Sequence, residues 1–320
     1  MKKHINFVVL GNEYREFPRD PDKDWSFFTR TNMIWSYLTY LRLNEIGYPN
    51  IGFSNKIVCG SINVGTSAIL SSSKIENSKN CKETIFIVIR ADKLYSLSSN
   101  ISVVQSPEHS LKYKNSFFIT HWPQPGMIPR KRDDHVVKKI GMAGIPKHYA
   151  ISQYQDRFQK DMEEREIEIV NLDRSRWNDY SDIDIVLAVR EFNKKPLIHK
   201  PASKLINGWT ARVPVICNPE STYRWVGENG QDYIEVESYD QVINAIDKLR
   251  MDEKLYYKII KKGNGKAKSY TNEKVCVEWM RLLDGIRKNS INSKSVKNIT
   301  LKKIGFKYEE MVHRMLKIFD

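Results

Sequence analysis

Three cations define the chemistry to look for. Arg190 closes the apolar run "IVLAVR", and Lys200 and Lys204 follow, four residues apart, in "HKPASKLINGWTARVPVICNPES". If a helix has begun by Lys200, both lysines share one of its faces near the N-terminus, where unpaired backbone N–H groups and the helix dipole also favour an anion. Arg190, at the end of a buried strand, would emerge at the C-terminal edge of a parallel sheet, the edge where open α/β sheets bind ligands. One guanidinium, two ammonium groups and a helix start can converge on a single diphosphate. A departing nucleoside diphosphate gains negative charge as its bond breaks, and cations already in place stabilise that charge by roughly several kcal/mol. This chemistry asks for no metal ion. Trp209, on the apolar side of the same helix, is read as core.

Such residues act together only if regular elements deliver them. In the first half, "INFVVLG", "TIFIVIRAD", "ISVVQSP" and "SFFITHW" are apolar runs of strand length, and the continuous ones read as strands buried on both faces. Between the first two lies "TNMIWSYLTYLRLNEIG", where Ile34, Leu38, Leu41 and Ile46 recur at helical spacing and Gly47 supplies the stop. "HWPQPGMIPRKRDD" places three prolines and a glycine in its first nine residues, so neither helix nor central strand persists through it. The domain junction is placed there, near residues 122 to 135. A second alternation follows: strands in "VVKKIGMAGI", "EIEIVNL", "IDIVLAVR" and "VPVIC", and helices in "QYQDRFQKDMEER" and "SKLINGWTA". Helices follow "QDYIEV", and a Ser/Asn/Lys-rich connector leads to a last amphipathic helix around Tyr308 to Ile318. Strand alternating with helix predicts an α/β protein of two Rossmann-like lobes facing a central cleft. The expected division is an N-terminal lobe over 1–125, a C-terminal lobe over 135–290, and a connector with a final helix over 291–320.

At 320 residues two domains are the natural expectation, and 41% hydrophobic residues with 16 tyrosines suffice for real cores. The net charge of +14 points to an anionic partner: phosphorylated ligands, an acidic membrane face or nucleic acid. Specific nucleic-acid binding is not expected, because the lysines are scattered along the chain. Cys59, Cys81, Cys217 and Cys276 show no CxxC spacing, so no zinc cluster or disulfide framework is expected, and reduced thiols in a cytoplasm are. The opening "MKKHINFVVLGNEYREF" is read as a first strand rather than an export signal. No run approaches the length of about 20 apolar residues that spans a bilayer.

Several motifs are set aside. No GxGxxG follows a strand, which argues against a dehydrogenase. "GSINVGTS" imitates a P-loop, but Thr66 stands where the phosphate-binding lysine belongs. Asp182 and Asp184 form a DxD, read as polar residues at the entrance to "IVLAVR" and not as a metal site.

The stretch from Arg190 to about Gly265 resembles the C-terminal half of GT-B glycosyltransferases: strand, helix, "ARVPV", a "PE" turn, "ENG" with a further strand, and a helix after "VESYDQVINAIDKL". It is also similar to a fucosyltransferase-type pattern in which an arginine after a strand and a lysine opening the next helix contact the donor diphosphate; Arg190 and Lys204 fall at those positions. The resemblance implies a GT-B fold whose C-terminal half binds a nucleotide-sugar and whose N-terminal half binds the acceptor. It implies Glu220 beside the donor, on its ribose or sugar hydroxyls, and Tyr223 and Arg224 near base or phosphate. Where the common retaining families carry glutamates, this chain has His199 and Asn207. Glu220 and Glu228 share that glutamate spacing but follow the strand "VPVIC" instead of preceding it, and the match is read as accidental. An inverting reaction needs a base from the N-terminal lobe, for which Asp24 and His121 are the candidates, followed by Asp22 and Glu13.

The activity implied is transfer of a hexosyl or deoxyhexosyl group from a GDP- or UDP-linked donor to a glycan or lipid-linked acceptor, without a metal or other cofactor. The implied place is the cytoplasm, with peripheral contact at the anionic inner membrane face. Two alternatives stay open: a nucleic-acid-binding protein, whose affinity falls steeply with salt, and a GT-B-shaped enzyme of another kind, such as an epimerase or a phosphoglycerol transferase.

Overall fold

Apolar runs without polar interruption become parallel strands covered on both faces, and this chain has two sets of them. The computed structural model describes residues 3–9, 16–70, 81–91, 101–113, 115–144, 149–192 and 197–291. Among these, the residues up to Phe17, Thr31–Thr120 and those from Asn272 onward form one compact unit, and Pro18–Arg30 with His121–Thr271 form the other.

In the first unit, β1 (Ile5–Val8), β2 (Ile51–Ser54), β3 (Ile62–Thr66), β4 (Ile85–Ile89), β5 (Ile101–Val104) and β6 (Ser116–Phe118) make one sheet in the order β2-β1-β3-β4-β5-β6. Every pairing is parallel. β1, β3, β4 and β5 are wholly buried, as their sequences require. β2 and β3 go beyond the strands read from sequence. β3 is the end of the P-loop imitation: "INVGT" is a core strand whose Gly65 lies against Leu70. The expected first helix begins as a π-helical turn at Met33–Tyr37, continues as α1 (Leu38–Glu45), and ends before Gly47 at φ +71°. A short helix, α2 (Pro107–Lys112), follows β5.

In the second unit, β7 (Lys139–Ala143), β8 (Glu168–Leu172), β9 (Ile185–Ala188), β10 (Val215–Cys217) and β11 (Ile234–Glu235) form a second all-parallel sheet, ordered β11-β10-β9-β7-β8. The helices are α3 (Gln155–Glu163), α4 (Ser203–Ala211), α5 (Ser221–Val226), α6 (Tyr239–Met251) and α7 (Glu253–Ala267).

Three expectations change. The last described helix, α8 (Asn272–Ile291), belongs with the first unit and not with a lobe running to residue 290. Its Trp279, Leu283 and Ile286 are buried, Trp279 meets Phe7 edge-on at 6.4 Å, and Glu278 accepts hydrogen bonds from Thr120 N and Oγ1 at 2.7 and 3.0 Å. The passage between units falls between Thr120 and His121, at the edge of the expected junction, and the proline-rich stretch itself belongs to the second unit. Ile128 N donates to Asn178 O at 2.8 Å and Arg130 N to Ala211 O at 3.0 Å, so it is strapped to the second unit. Cys59 and Cys81, expected as reduced thiols, form a disulfide, because the fold brings their Cα atoms to 4.9 Å across 22 residues of sequence. Cys217 and Cys276 are free and buried. The connector and final helix expected over 291–320 fall, past Ile291, outside the described residues.

The DxD stretch is structural. Asp184 is fully buried; its Oδ1 accepts from Arg130 Nε and Nη2 at 3.1 and 3.0 Å and from Arg132 Nη2 at 2.5 Å. Its Oδ2 accepts from the backbone N–H groups of Lys138 and Lys139 at 2.8 and 2.9 Å. Asp182 pairs with Lys139 and Arg176. These lone pairs are committed to holding the strap and the start of β7.

Candidate functional site

Because each sheet is parallel, the C-terminal ends of its strands lie along one of its edges. In the second sheet the first strand, β7, has the second strand on one side and the third, β9, on the other. The connections out of β7 and β9 therefore diverge, which opens a crevice at that edge. The residues just past β7, β9 and β10 meet there.

Arg190 lies two residues beyond β9, with its backbone N–H donated to Asn218 Oδ1 at 2.8 Å. Asn218 follows β10 directly, and its Nδ2 is buried with no hydrogen-bond partner among the described residues. Glu220 is the N-cap of α5 but does not cap it with its side chain. The carboxylate turns instead to Arg190, forming an ion pair through Oε1, while Oε2 has no partner among the described residues. Arg190 Nη1 also donates to the hydroxyl of the buried Tyr223 at 3.2 Å. Burial pushes the Glu220 carboxyl above its ordinary range against the opposing pull of Arg190, Lys204 and Lys200. Burial works against the Arg190 charge too, but Tyr223 and Glu220 outweigh it and keep the guanidinium protonated.

Lys204, the second residue of α4, sends Nζ to 3.4 Å from the Tyr149 hydroxyl and 4.9 Å from the centre of its ring. Lys200 does not share a helical face with it, because α4 begins only at Ser203. A turn holds Lys200 instead: its N–H donates to Leu197 O at 2.8 Å, and its carbonyl accepts from Thr222 Oγ1 at 2.7 Å. Both lysines nevertheless act on the Glu220 carboxyl. The structure thus brings Arg190, Lys200, Lys204, Glu220 and Tyr223 together.

Arg224 takes another direction. Its Nε and Nη2 grip Glu235 at 2.9 and 2.5 Å, at the end of β11. Glu228 is exposed and follows α5. Trp209 is core, donating from Nε1 to Asp232 O at 2.8 Å and packing against Gly263. Asp24 and His121 fall in the second unit, not in the N-terminal lobe expected to supply a base. Asp24 is half-buried, and its carbonyl accepts from Phe27 N at 3.0 Å. His121 Nδ1 lies 2.7 Å from Trp122 O. Asp22 Oδ1 accepts from Gly126 N at 2.9 Å, and Glu13 lies outside the described residues.

Three residues of the site escaped the sequence reading: Tyr149, Asn218 and Gly144. Gly144 follows β7 with φ +121°, and a Cβ there would lie 2.6 Å from Tyr149 Oη and 3.0 Å from Lys204 Nζ. The available signal was a glycine directly after a strand.

No family model and no curated protein matches the sequence. Comparison with solved structures gives the class of fold: that of the GT-B glycosyltransferases. The chain is similar to HepE of Anabaena, solved in complex with UDP and glucose, at TM-score 0.56 and 8% identity over 88% of this chain and 99% of that one. It is similar to AviGT4, a glycosyltransferase involved in avilamycin A biosynthesis, at TM-score 0.56 and 10% identity over 88% and 98%. With TarM the TM-score is 0.51 at 12% identity, over 70% of this chain; the match spans about half of TarM, 54%.

Proposed function

We propose that the protein is a glycosyltransferase that moves a sugar from a nucleotide-sugar donor to a glycan or lipid-linked acceptor, with no metal ion in the reaction. The observation that carries this reading is the gathering of Arg190, Lys200 and Lys204 around the buried Glu220 at the C-terminal edge of the second sheet. Arg190 pairs with that carboxyl directly and the two lysines act on it electrostatically, so positive charge exceeds negative at this edge. A donor diphosphate bound beside it engages the same cations, which favour the departing nucleoside diphosphate more strongly as its charge develops. Glu220 Oε2 and Asn218 Nδ2, buried without partners, are an acceptor and a donor for hydroxyl or carbonyl groups of that ligand. Arg224 is held by Glu235 at the end of β11, away from this cluster.

UDP is the first nucleotide to try, since HepE was solved with UDP-glucose. Asp24 and His121, both in the second unit, are the groups to test as base for the acceptor hydroxyl. The net charge of +14 suits an acceptor carried at an anionic membrane face; no described helix is long and apolar enough to cross a membrane.

A thermal-shift panel of UDP, GDP, CMP and dTDP tests the donor site. One diphosphate should raise the melting temperature, and Arg190→Ala and Lys204→Ala should each abolish that rise. Retention of the rise in both variants overturns the reading. Transfer from the matching sugar nucleotide should survive EDTA, and Asp24→Asn or His121→Asn should remove the acidic limb of the kcat profile if that residue is the base.

A further inference from the structure

The donor-site reading leaves unexplained why Lys204 sits against a tyrosine rather than in solvent. Lys204 Nζ lies 4.9 Å from the centre of the Tyr149 ring and 3.4 Å from its hydroxyl oxygen. Tyr149 is itself fixed. It is 3% exposed, its carbonyl accepts from Ser152 N and Oγ at 3.0 and 2.7 Å, and the next residue, Ala150, donates its N–H to Val189 O at 3.2 Å. That last bond ties the loop after β7 to the end of β9, one residue before Arg190. Burial pushes the Tyr149 phenol up, so it stays neutral and offers the ammonium an oxygen lone pair and a ring face, not a competing charge.

The backbone makes room for this contact. Gly144 adopts φ +121°, a region that side chains disfavour, and its missing Cβ would lie within 3.0 Å of both Tyr149 Oη and Lys204 Nζ. A residue with any side chain at 144 would push the ammonium or the phenol away. Among the groups that face Lys204 are Tyr149 and Gly144, both following β7 in the chain, and, electrostatically, Glu220 after β10.

We propose that Tyr149 is a positioning residue for Lys204: its ring and hydroxyl hold the ammonium ready for the donor phosphate, and Gly144 clears the space for it. The proposal rests on the donor-site reading for its function, but not for its geometry. A lysine side chain is flexible and strongly hydrated, and fixing it in advance removes part of the ordering cost when the anion arrives.

The test uses the full chain, with UDP and GDP titrated by calorimetry and the Lys204 ε-methylene followed by NMR. Tyr149→Leu should weaken diphosphate binding about tenfold, and Tyr149→Phe, which keeps the ring, by about threefold or less. UMP and GMP, which lack the second phosphate, should lose less. In a Lys204→Ala background Tyr149→Leu should add no further loss. Equal losses in both backgrounds mean that Tyr149 supports the fold rather than the lysine, and overturn the proposal. In the ligand-free protein the ε-methylene protons should be shifted upfield by the ring and return on Tyr149→Leu. An unshifted resonance overturns the positioning directly. If the wild type binds neither UDP nor GDP while the upfield shift is present, the donor reading fails and the contact between Tyr149 and Lys204 stands.

Discussion

The two sheets are wound alike and finished differently. In each, the second strand lies on one side of the first and the later strands on the other, giving 2-1-3-4-5-6 in the first unit and 2-1-3-4-5 in the second when each is counted in chain order. Past the strands of the second sheet stand Arg190, Glu220 and Lys204, their charges turned toward one another. At the ends of the strands of the first stand Thr66, the last residue of β3, and Arg90 and Gln105, just past β4 and β5. Arg90 lies against the Tyr113 ring at 4.8 Å and 3.4 Å from His109 Nε2, and burial pulls it below its ordinary value. The Thr66 hydroxyl and both amide atoms of Gln105 are buried without partners. Winding sets where a ligand can bind; the few residues after each strand decide which ligand.

That contrast can be broken or sharpened by four measurements. The largest effect is expected from Asp184→Ala, which takes the buried carboxylate from Arg130 and Arg132, leaving them Asp134, and frees two backbone N–H groups in the second unit alone. A cost of about 3–5 kcal/mol is expected, and hydrogen exchange should rise across β7 and β9 while β3 and β4 stay protected. Uniform exposure of both sheets would show that the units do not open separately.

Reducing the Cys59–Cys81 bond should act on the first unit. Opening a loop of 22 residues costs about 3 kcal/mol in the chain-entropy view. The melting temperature should fall on reduction while the nucleotide-induced rise keeps its size. Alkylation with and without reductant, read by mass, should differ by two cysteines.

Gln105→Leu should stabilise the first unit by about 1 kcal/mol in urea unfolding, because a buried amide without partners is removed. A destabilisation of that size would mean that the amide has a partner in solution.

The smallest effect concerns acid. Arg165 grips Asp247 through two bonds of 2.8 and 2.9 Å, which hold its carboxyl below the ordinary carboxylate range. A depressed folded pKa means that the stabilisation is complete above the unfolded value of about 3.9 and is lost as pH falls through the folded one. Asp247→Asn should flatten the decline in stability of the second unit below about pH 4, by under about 1 kcal/mol because both groups are partly solvated.

Much of this was legible in the chain because strands buried on both faces must be written in apolar letters. "IFIVI", "ISVV" and "IVLA" leave little choice, and Gly47 stops its helix as its type suggests. β2 and β3 were harder, since "IGFS" is half-buried and "INVGT" carries an asparagine and a glycine in the core. The asparagine is tolerated because Asn63 exchanges hydrogen bonds with Asn6 and Val58, pairings that no local pattern reveals. At the site, Arg190 was visible as a charge at a strand end and Lys204 as one at a helix start, while Glu220 came from the resemblance. Tyr149 and Asn218 were not, since a tyrosine in a loop and an asparagine before a proline are common. The shared helical face imagined for the two lysines failed because Pro201 delays the helix to Ser203.

The placement of Trp279 in the first unit bears on how the chain is made. Residues 121–271 are all synthesised before the helix that completes the opening sheet's core leaves the ribosome. The portion that starts first therefore finishes last, with Phe7 waiting on an indole that emerges more than two hundred residues later. A released chain ending at Thr271 should hold a protease-resistant later portion and a still-digestible beginning.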